Sequence, residues 1–279
     1  MTQDLLAPLF GDWFEARGWQ PRVHQTALWH AAQKGQDALL IAPTGGGKTL
    51  AGFMPSLQAL AAAGSSGKLH TLYISPLKAL TVDIQRNLML PVDELGLAIS
   101  IETRSGDTPA NRKTRQKQNP PDILLTTPEQ LALMLSWPEA ADYFAALDTV
   151  IIDELHALAP NKRGDLLALG LARLKRFAPR LTCLGLSATV ADKDALCRFL
   201  APQSAATLVE GTPGAPPALS ILDTKERLPW GSHTARHAMA DVLAAIKTAD
   251  TALVFVNTRS QAEMVFRELW ALNDEGLEI

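Results

Sequence analysis

Eight residues, Ala42-Pro-Thr-Gly-Gly-Gly-Lys-Thr49, stand between an apolar run and a stretch with helical spacing. Three successive glycines let the backbone curl until its N–H groups converge, and at a helix N-terminus such a nest attracts anions. Phosphates suit it: Thr44, Gly45, Gly46 and Gly47 would wrap them, Lys48 would reach the β and γ phosphates of a nucleotide, and the Thr49 hydroxyl would ligate Mg2+. Ala42 stands where the widest form of this loop has glycine. A loop of this kind needs a carboxylate to hold the metal through water, at the end of a neighbouring strand. Val150-Ile-Ile-Asp-Glu154 supplies it. Asp153 leaves the apolar run first and is the metal candidate, Glu154 can orient and polarise a water, and His156 is close enough to sense the γ phosphate.

Those residues need a frame. Short apolar, β-branched runs at 38–41, 71–74, 99–103, 123–126, 149–152 and 182–186 alternate with helical stretches at 50–63, 77–90, 129–135, 162–177 and 193–200. The alternation predicts an α/β fold with a mostly parallel sheet, and the nearly continuous apolar character of the strands predicts helices on both faces. Residues 211–217 form a Pro/Gly-rich connector between two shorter apolar runs, 207–209 and 219–222. Beyond it, 237–246 reads as a helix and 252–256 as a strand, followed by a helix with Ala262, Val265, Phe266, Leu269 and Trp270 on one face. One strand and one helix cannot bury their apolar faces alone, so this tail reads as the opening of a second α/β domain.

Composition narrows the setting. The 279 residues, 47% apolar and 20% charged, can bury a real core, which excludes a disordered or fibrous chain. A net charge of −3 announces neither a nucleic-acid nor a membrane partner, so any such site must be a local patch. Cys183 and Cys197 make no disulfide framework and read as small buried hydrophobes in a reduced cytoplasm. Asp4 and Pro8 interrupt the N-terminal apolar residues and no basic residue precedes them, so a secretory leader is not expected, and no uncharged apolar stretch approaches the roughly 18 residues a membrane span requires. The strongest local charge lies between Arg104 and Lys117, with five basic residues against Asp107. On composition that is a solvated face, but loops beyond the carboxyl ends of parallel strands are where such sheets bind ligands. Pro76, Lys78, Arg104, Gly106, Thr127 and Pro128 fall at such ends and could grip phosphates without reading sequence.

Taken with Ser187-Ala-Thr189 after the next strand, these motifs resemble those of the superfamily 2 helicases with a DExH box. Gly18-Trp-Gln-Pro-Arg-Val-His-Gln25 resembles the adenine-reading Q motif, Ser75-Pro-Leu-Lys-Ala-Leu80 motif Ia, Thr126-Thr-Pro-Glu129 a later strand-gripping motif, and Val254-Phe-Val-Asn-Thr-Arg259 motif IV. Residues 152–158, 162–165 and 185–190 are similar to the large helicase-related (Lhr-type) branch, and 71–80, 102–109, 121–131 and 222–230 to its bacterial ligase-associated DNA damage response subfamily.

The resemblance implies a RecA-like P-loop NTPase domain over 1–210, a linker over 211–245 and the start of a second RecA-like domain over 246–279. It implies ATP and Mg2+ as cofactors, with Gln25 bonding the adenine and Ser187 and Thr189 coupling the γ phosphate to domain closure. Trp19 is the first candidate to lie against the base, with Phe10 and Phe14 as alternatives. Partners would be single-stranded or tailed duplex DNA, or an RNA–DNA hybrid, contacted also by Asn257 and Arg259, with a functional association to a DNA ligase. The implied activity is ATP-dependent translocation and unwinding with 3′-to-5′ polarity in DNA repair, in the cytoplasm. Motifs V and VI of the family are not in this sequence, so the 279-residue chain alone is expected to hydrolyse ATP poorly and not to unwind. A transporter ATPase would need an LSGGQ-like signature and a phosphotransferase an acceptor pocket, and neither is legible. An RNA or RNA–DNA hybrid helicase, or a nucleic-acid-binding module without turnover, is the remaining alternative.

Overall fold

A computed structural model of the protein describes residues 7–188, 190–204, 206–212, 218–224 and 236–277. The chain divides into two compact units, Met1–Gly214 and Ala215–Ile279.

In the first unit seven strands form one sheet: β1 Ala38–Ile41, β2 Thr71–Ile74, β3 Ile101–Thr103, β4 Ile123–Thr126, β5 Thr149–Ile152, β6 Thr182–Ser187 and β7 Thr207–Glu210. Their order is β3-β4-β2-β5-β6-β1-β7 and every pairing is parallel. Alternation along each strand divides the core. Ala38, Leu40, Tyr73 and Ile151 pack on one face, with Phe10, Trp29, Phe53 and Leu57 from α1 (Pro8–Ala16), α2 (Val23–Gln33) and α3 (Lys48–Ala63). Leu39, Ile41, Leu72, Val150 and Ile152 pack on the other, with Leu131, Phe144, Leu167 and Leu200. Those come from α6 (Pro128–Leu135), α7 (Ala140–Phe144), α9 (Lys162–Phe177) and α10 (Lys193–Leu200). Parallel strands buried on both faces need this double cover, so the α/β expectation holds.

The helix α4 (Lys78–Glu94) runs four residues past its expected end, carrying Pro91 in its last turn. The helix α5 (Ala110–Gln118) lies in the basic segment and has no apolar stripe to announce it. Strand β3 starts two residues later than the pattern suggests, because the Ser100 N–H bonds the Asp122 carboxylate at 2.8 Å instead of a neighbouring strand. A short helix α8 (Leu155–Leu158) follows β5.

The second unit contains a 3-10 turn at Arg236–Ala238, α11 (Met239–Ile246) and α12 (Arg259–Ala271). Met239, Leu243, Val265 and Leu269 pack together. The helix α11 therefore belongs with α12, although the motif map assigned it to a linker. The strand expected at 252–256 is not formed: the segment has no ladder partner among the described residues, and Leu253 and Phe255 are exposed. A strand is defined by its neighbours, and the described residues of this unit supply none. Among the described residues, no helix is long and apolar enough to cross a membrane.

Candidate nucleotide site

The carboxyl ends of β1, β6 and β5, adjacent in the sheet, each deliver one piece of the site. The loop after β1 takes its shape from its glycines. Gly45 and Gly47 have φ of 75° and 74°, and a Cβ on Gly46 would stand 2.7 Å from the Pro43 carbonyl oxygen. Lys48 is buried and opens α3, its Nζ donating to the carbonyls of Ala42 (2.9 Å) and Pro43 (3.1 Å). Thr49 follows in the first turn of α3, and Thr44 is exposed at the tip of the loop.

The start of α2 holds this loop by three successive carbonyls. Arg22 Nη1 donates to Gly45 O at 3.2 Å, His24 Nε2 bonds Gly46 O at 2.8 Å and Gln25 Nε2 donates to Gly47 O at 3.1 Å. Because a carbonyl only accepts, His24 carries its proton on Nε2 here. Gln25 Oε1 also accepts the Arg22 N–H at 2.8 Å, which leaves one amide proton and one lone pair for a base. Arg22, His24, Thr44, Gly45 and Gly46 line a cleft of about 380 Å3. Among the aromatic candidates for the base, Phe10 and Phe14 are core residues, whereas Trp19 is 47% exposed at the edge of the cluster it forms with Trp13 and Phe14.

After β5, the Asp153 carboxylate is 6% exposed and receives two donors: the Tyr73 hydroxyl on Oδ2 and the Glu154 N–H on Oδ1 at 2.9 Å. Burial, reinforced by the charge of Asp153, pushes the Tyr73 phenol far above its ordinary value of 10.0, so Tyr73 remains a donor. Glu154 lies in the left-handed region (φ 48°, ψ 42°), the one non-glycine residue with positive φ among those described. At the end of β6, the buried Ser187 donates to the Ala188 carbonyl at 3.0 Å, so its oxygen accepts from His156 Nδ1, also at 3.0 Å. The same Nδ1 is 3.5 Å from Glu154 Oε2. Glu154, His156 and Ser187 thus form one contact group spanning β5 and β6. Thr189 lies outside the described residues.

No group of three or more His, Cys, Asp or Glu that could hold a metal occurs among the described residues. Mg2+ in phosphate sites does not need one, because waters and phosphate oxygens complete its octahedron around one or two protein oxygens. The hard oxygens of Asp153 and Thr49 fit that donor set.

The expected nucleic-acid residues of the first unit follow the carboxyl ends of β2, β3 and β4. Pro76 follows β2, Gly106 lies in the turn after β3, Thr127 caps α6 and Pro128 opens it. Lys78 opens α4. Arg104 does not present its guanidinium outward. It is 8% exposed, donates to Lys113 O at 3.0 Å and lies 4.8 Å over the Trp137 ring. Arg112 and Arg115 pair with Glu102 and Lys117 with Glu139, so the basic segment is largely neutralised by its own neighbours. Asn257 and Arg259, in the second unit, lie just before and at the start of α12. Cys183 is buried, its thiol pushed up to about 12 by burial, while Cys197 is partly exposed. Sequence patterns did not single out Tyr73 or Arg22. Tyr73 left one signal, a hydroxyl inside a buried strand that had to find a partner.

A parallel sheet with a phosphate loop after β1, an acidic pair after β5 and a hydroxyl after β6 defines a RecA-like P-loop NTPase domain. Residues 22–196 match the DEAD/DEAH box helicase family, and the chain belongs to that family. It is 36% identical over 96% of its length to the Lhr helicase/probable uracil glycosylase of Mycolicibacterium smegmatis, covering 19% of that protein. It is 40% identical over 78% of its length to the Lhr helicase/uracil glycosylase of Escherichia coli, covering 15% of it. A solved structure of Mycobacterium smegmatis helicase Lhr bound to ssDNA and AMP-PNP superposes with a TM-score of 0.82 at 35% identity, over 96% of this chain and 36% of that one. The chain spans about a fifth or less of these two curated relatives.

Proposed function

We propose that this chain provides the ATP-binding domain of an Lhr-type ATP-dependent DNA helicase or translocase. The observation that carries the reading is the convergence of Lys48, Asp153, Glu154 and Ser187 at the carboxyl ends of three adjacent strands. Lys48 leaves the carbonyls of Ala42 and Pro43 to neutralise the charge on the transferred phosphoryl group. Thr49 and Asp153 hold Mg2+, which supplies Lewis-acid neutralisation of the phosphate oxygens when bound. Glu154 takes the proton of the attacking water. His156 links Glu154 to Ser187, so that a shift at the end of β6 is felt by the base. Gln25 and Trp19 contact the adenine.

For the nucleic acid, Pro76, Lys78, Gly106, Thr127 and Pro128 form the strand track of the first unit, where Arg104 braces the β3 end through Lys113 O; Asn257 and Arg259 are the nucleic-acid contacts assigned to the second unit on their own. The relative of known structure was solved with ssDNA, which supports DNA as the partner. Backbone contacts of this kind bind without sequence preference and weaken with salt. A 3′-to-5′ polarity, a role in repair and a functional tie to a DNA ligase belong to the same proposal and rest on family likeness alone.

The test is ATP turnover with and without single-stranded DNA in the protein carrying its complete second domain, comparing Lys48→Ala and Glu154→Gln. Each is expected to lose turnover by about 10²-fold or more, with Glu154→Gln still binding nucleotide. Unchanged turnover in both would sink the assignment. Displacement of all-DNA and RNA–DNA duplexes with 3′ or 5′ tails fixes substrate and polarity. The 279-residue chain alone is expected to bind nucleotide and turn it over slowly.

A further inference from the structure

Tyr73 sits in β2, fully buried, its ring stacked on Phe53 with centroids 5.1 Å apart and planes at 26°. The ring is thus part of the core, while the hydroxyl at its end is held by its own partner. That hydroxyl donates to Asp153 Oδ2, while Oδ1 accepts the Glu154 N–H and the Asp153 N–H is held by Ile74 O at 2.9 Å. Both carboxylate oxygens are pinned, so rotating the group about either side-chain bond breaks a hydrogen bond. The strand that carries Tyr73 continues directly into Ser75 and Pro76.

We infer that Tyr73 is a positioning residue for the metal: its hydroxyl holds the Asp153 carboxylate in the orientation from which it takes Mg2+ beside the phosphates. The inference rests on the assignment of Asp153 as a metal ligand in the proposed function. The physical reason is orientation in advance. A carboxylate already fixed by outer donors loses little rotamer freedom when the ion arrives, and partners of this kind commonly change metal affinity by about 10- to 100-fold. Within β2, Leu72 and Ile74 face the opposite side of the sheet and the Thr71 hydroxyl is engaged with His70 Nδ1 at 2.8 Å, so Tyr73 is the residue of this strand that meets Asp153.

The experiment follows a fluorescent N-methylanthraniloyl-ATP analogue bound to the protein while Mg2+ is titrated, alongside the same binding in excess chelator. Tyr73→Phe keeps the stacked ring and removes only the hydroxyl. It is expected to raise the Mg2+ half-saturation about tenfold or more, with nucleotide affinity in chelator unchanged. Phe53→Leu disturbs the same stack and keeps the hydroxyl, so it should lower Tm and leave the Mg2+ half-saturation where it was. An unshifted half-saturation in Tyr73→Phe overturns the inference, as does an equal shift in Phe53→Leu, which would make packing the cause. Asp153→Asn separates the two levels. If it abolishes the Mg2+ response while Tyr73→Phe does nothing, only Tyr73 loses its role. If it leaves the response intact, the metal assignment falls and the inference with it.

Discussion

His24 Nε2 lies 2.8 Å from the carbonyl oxygen of Gly46, the central contact of three by which α2 grips successive glycines of the phosphate loop. Arg22 and Gln25 take the carbonyls on either side. These carbonyls point away from the N–H groups that would face an anion, so the grip orients the loop without occupying it. A net hydrogen bond is worth about 0.5–1.5 kcal/mol, which converts to roughly two- to tenfold in affinity. His24→Ala is expected to weaken nucleotide binding by that factor, and Gln25→Ala by more, since it also loses its adenine contact. The double variant should fall short of the product, because both act on one loop. Titration with a fluorescent nucleotide measures this, and full additivity would show that the contacts act separately.

Gly46 answers a sharper question. Its φ is ordinary, but an added Cβ meets Pro43 O at 2.7 Å and the Ala42 Cβ at 3.3 Å, so the loop must open to admit a methyl group. Gly46→Ala should abolish detectable nucleotide binding while Tm moves by only a few degrees, since the loop adds little to the core. A variant that binds normally would mean that the loop is softer than its contacts imply.

Much of this site is legible in the sequence. Strands β1, β2, β4 and β5 fall where their apolar runs predicted, because burial on both faces leaves an unbroken signal. The phosphate loop and Asp153-Glu154 were legible because their glycines, cation and carboxylates have few other uses at that spacing. The helix α5 was not. Ala110–Gln118 has no apolar face and is held by Arg112 and Arg115 on Glu102 and by Gln116 reaching Glu102 and the Thr103 carbonyl. Those contacts also turned a basic segment into a mostly paired one. The pairing of Tyr73 with Asp153 spans 80 residues and depends on β2 and β5 being neighbours, an order that spacing does not encode. At 252–256 the apolar signal was present, but a strand also needs a neighbour.

Glu102 gives the fold a measurable acid limit. Partial burial raises its carboxyl, but hydrogen bonds from Gln116, Arg115 and Arg112 outweigh burial, and the net shift is below the ordinary 4.5. A carboxylate lowered in the folded state adds stability that is complete above its unfolded value and fades as pH falls through the folded one. Glu102→Gln should therefore lower Tm by a few degrees at pH 7, and that difference should shrink as pH drops below 4.5. Melting curves for both proteins from pH 7 to pH 3.5 check the sign. A penalty that stays constant with pH would assign the loss to shape rather than charge.

Glu154 combines a base with an unfavourable backbone. Its φ of 48° and ψ of 42° place an L side chain in the left-handed region, at a cost of about 1–2 kcal/mol. Glycine escapes that cost but loses about 0.5–1 kcal/mol through its freer unfolded chain. Glu154→Gly should therefore be neutral or more stable by up to about 1.5 kcal/mol, each kcal/mol being worth roughly 2–4 °C in a domain of this size. Glu154→Gln keeps the strain and should melt where the parent does. Both should lose ATP turnover, because neither can take a proton from water. If strain is held here to aim the carboxylate, stability and turnover move in opposite directions in Glu154→Gly and only turnover moves in Glu154→Gln. Equal Tm losses in the two variants would instead show that the Glu154 side chain, through its approach to His156 at 3.5 Å, stabilises the fold.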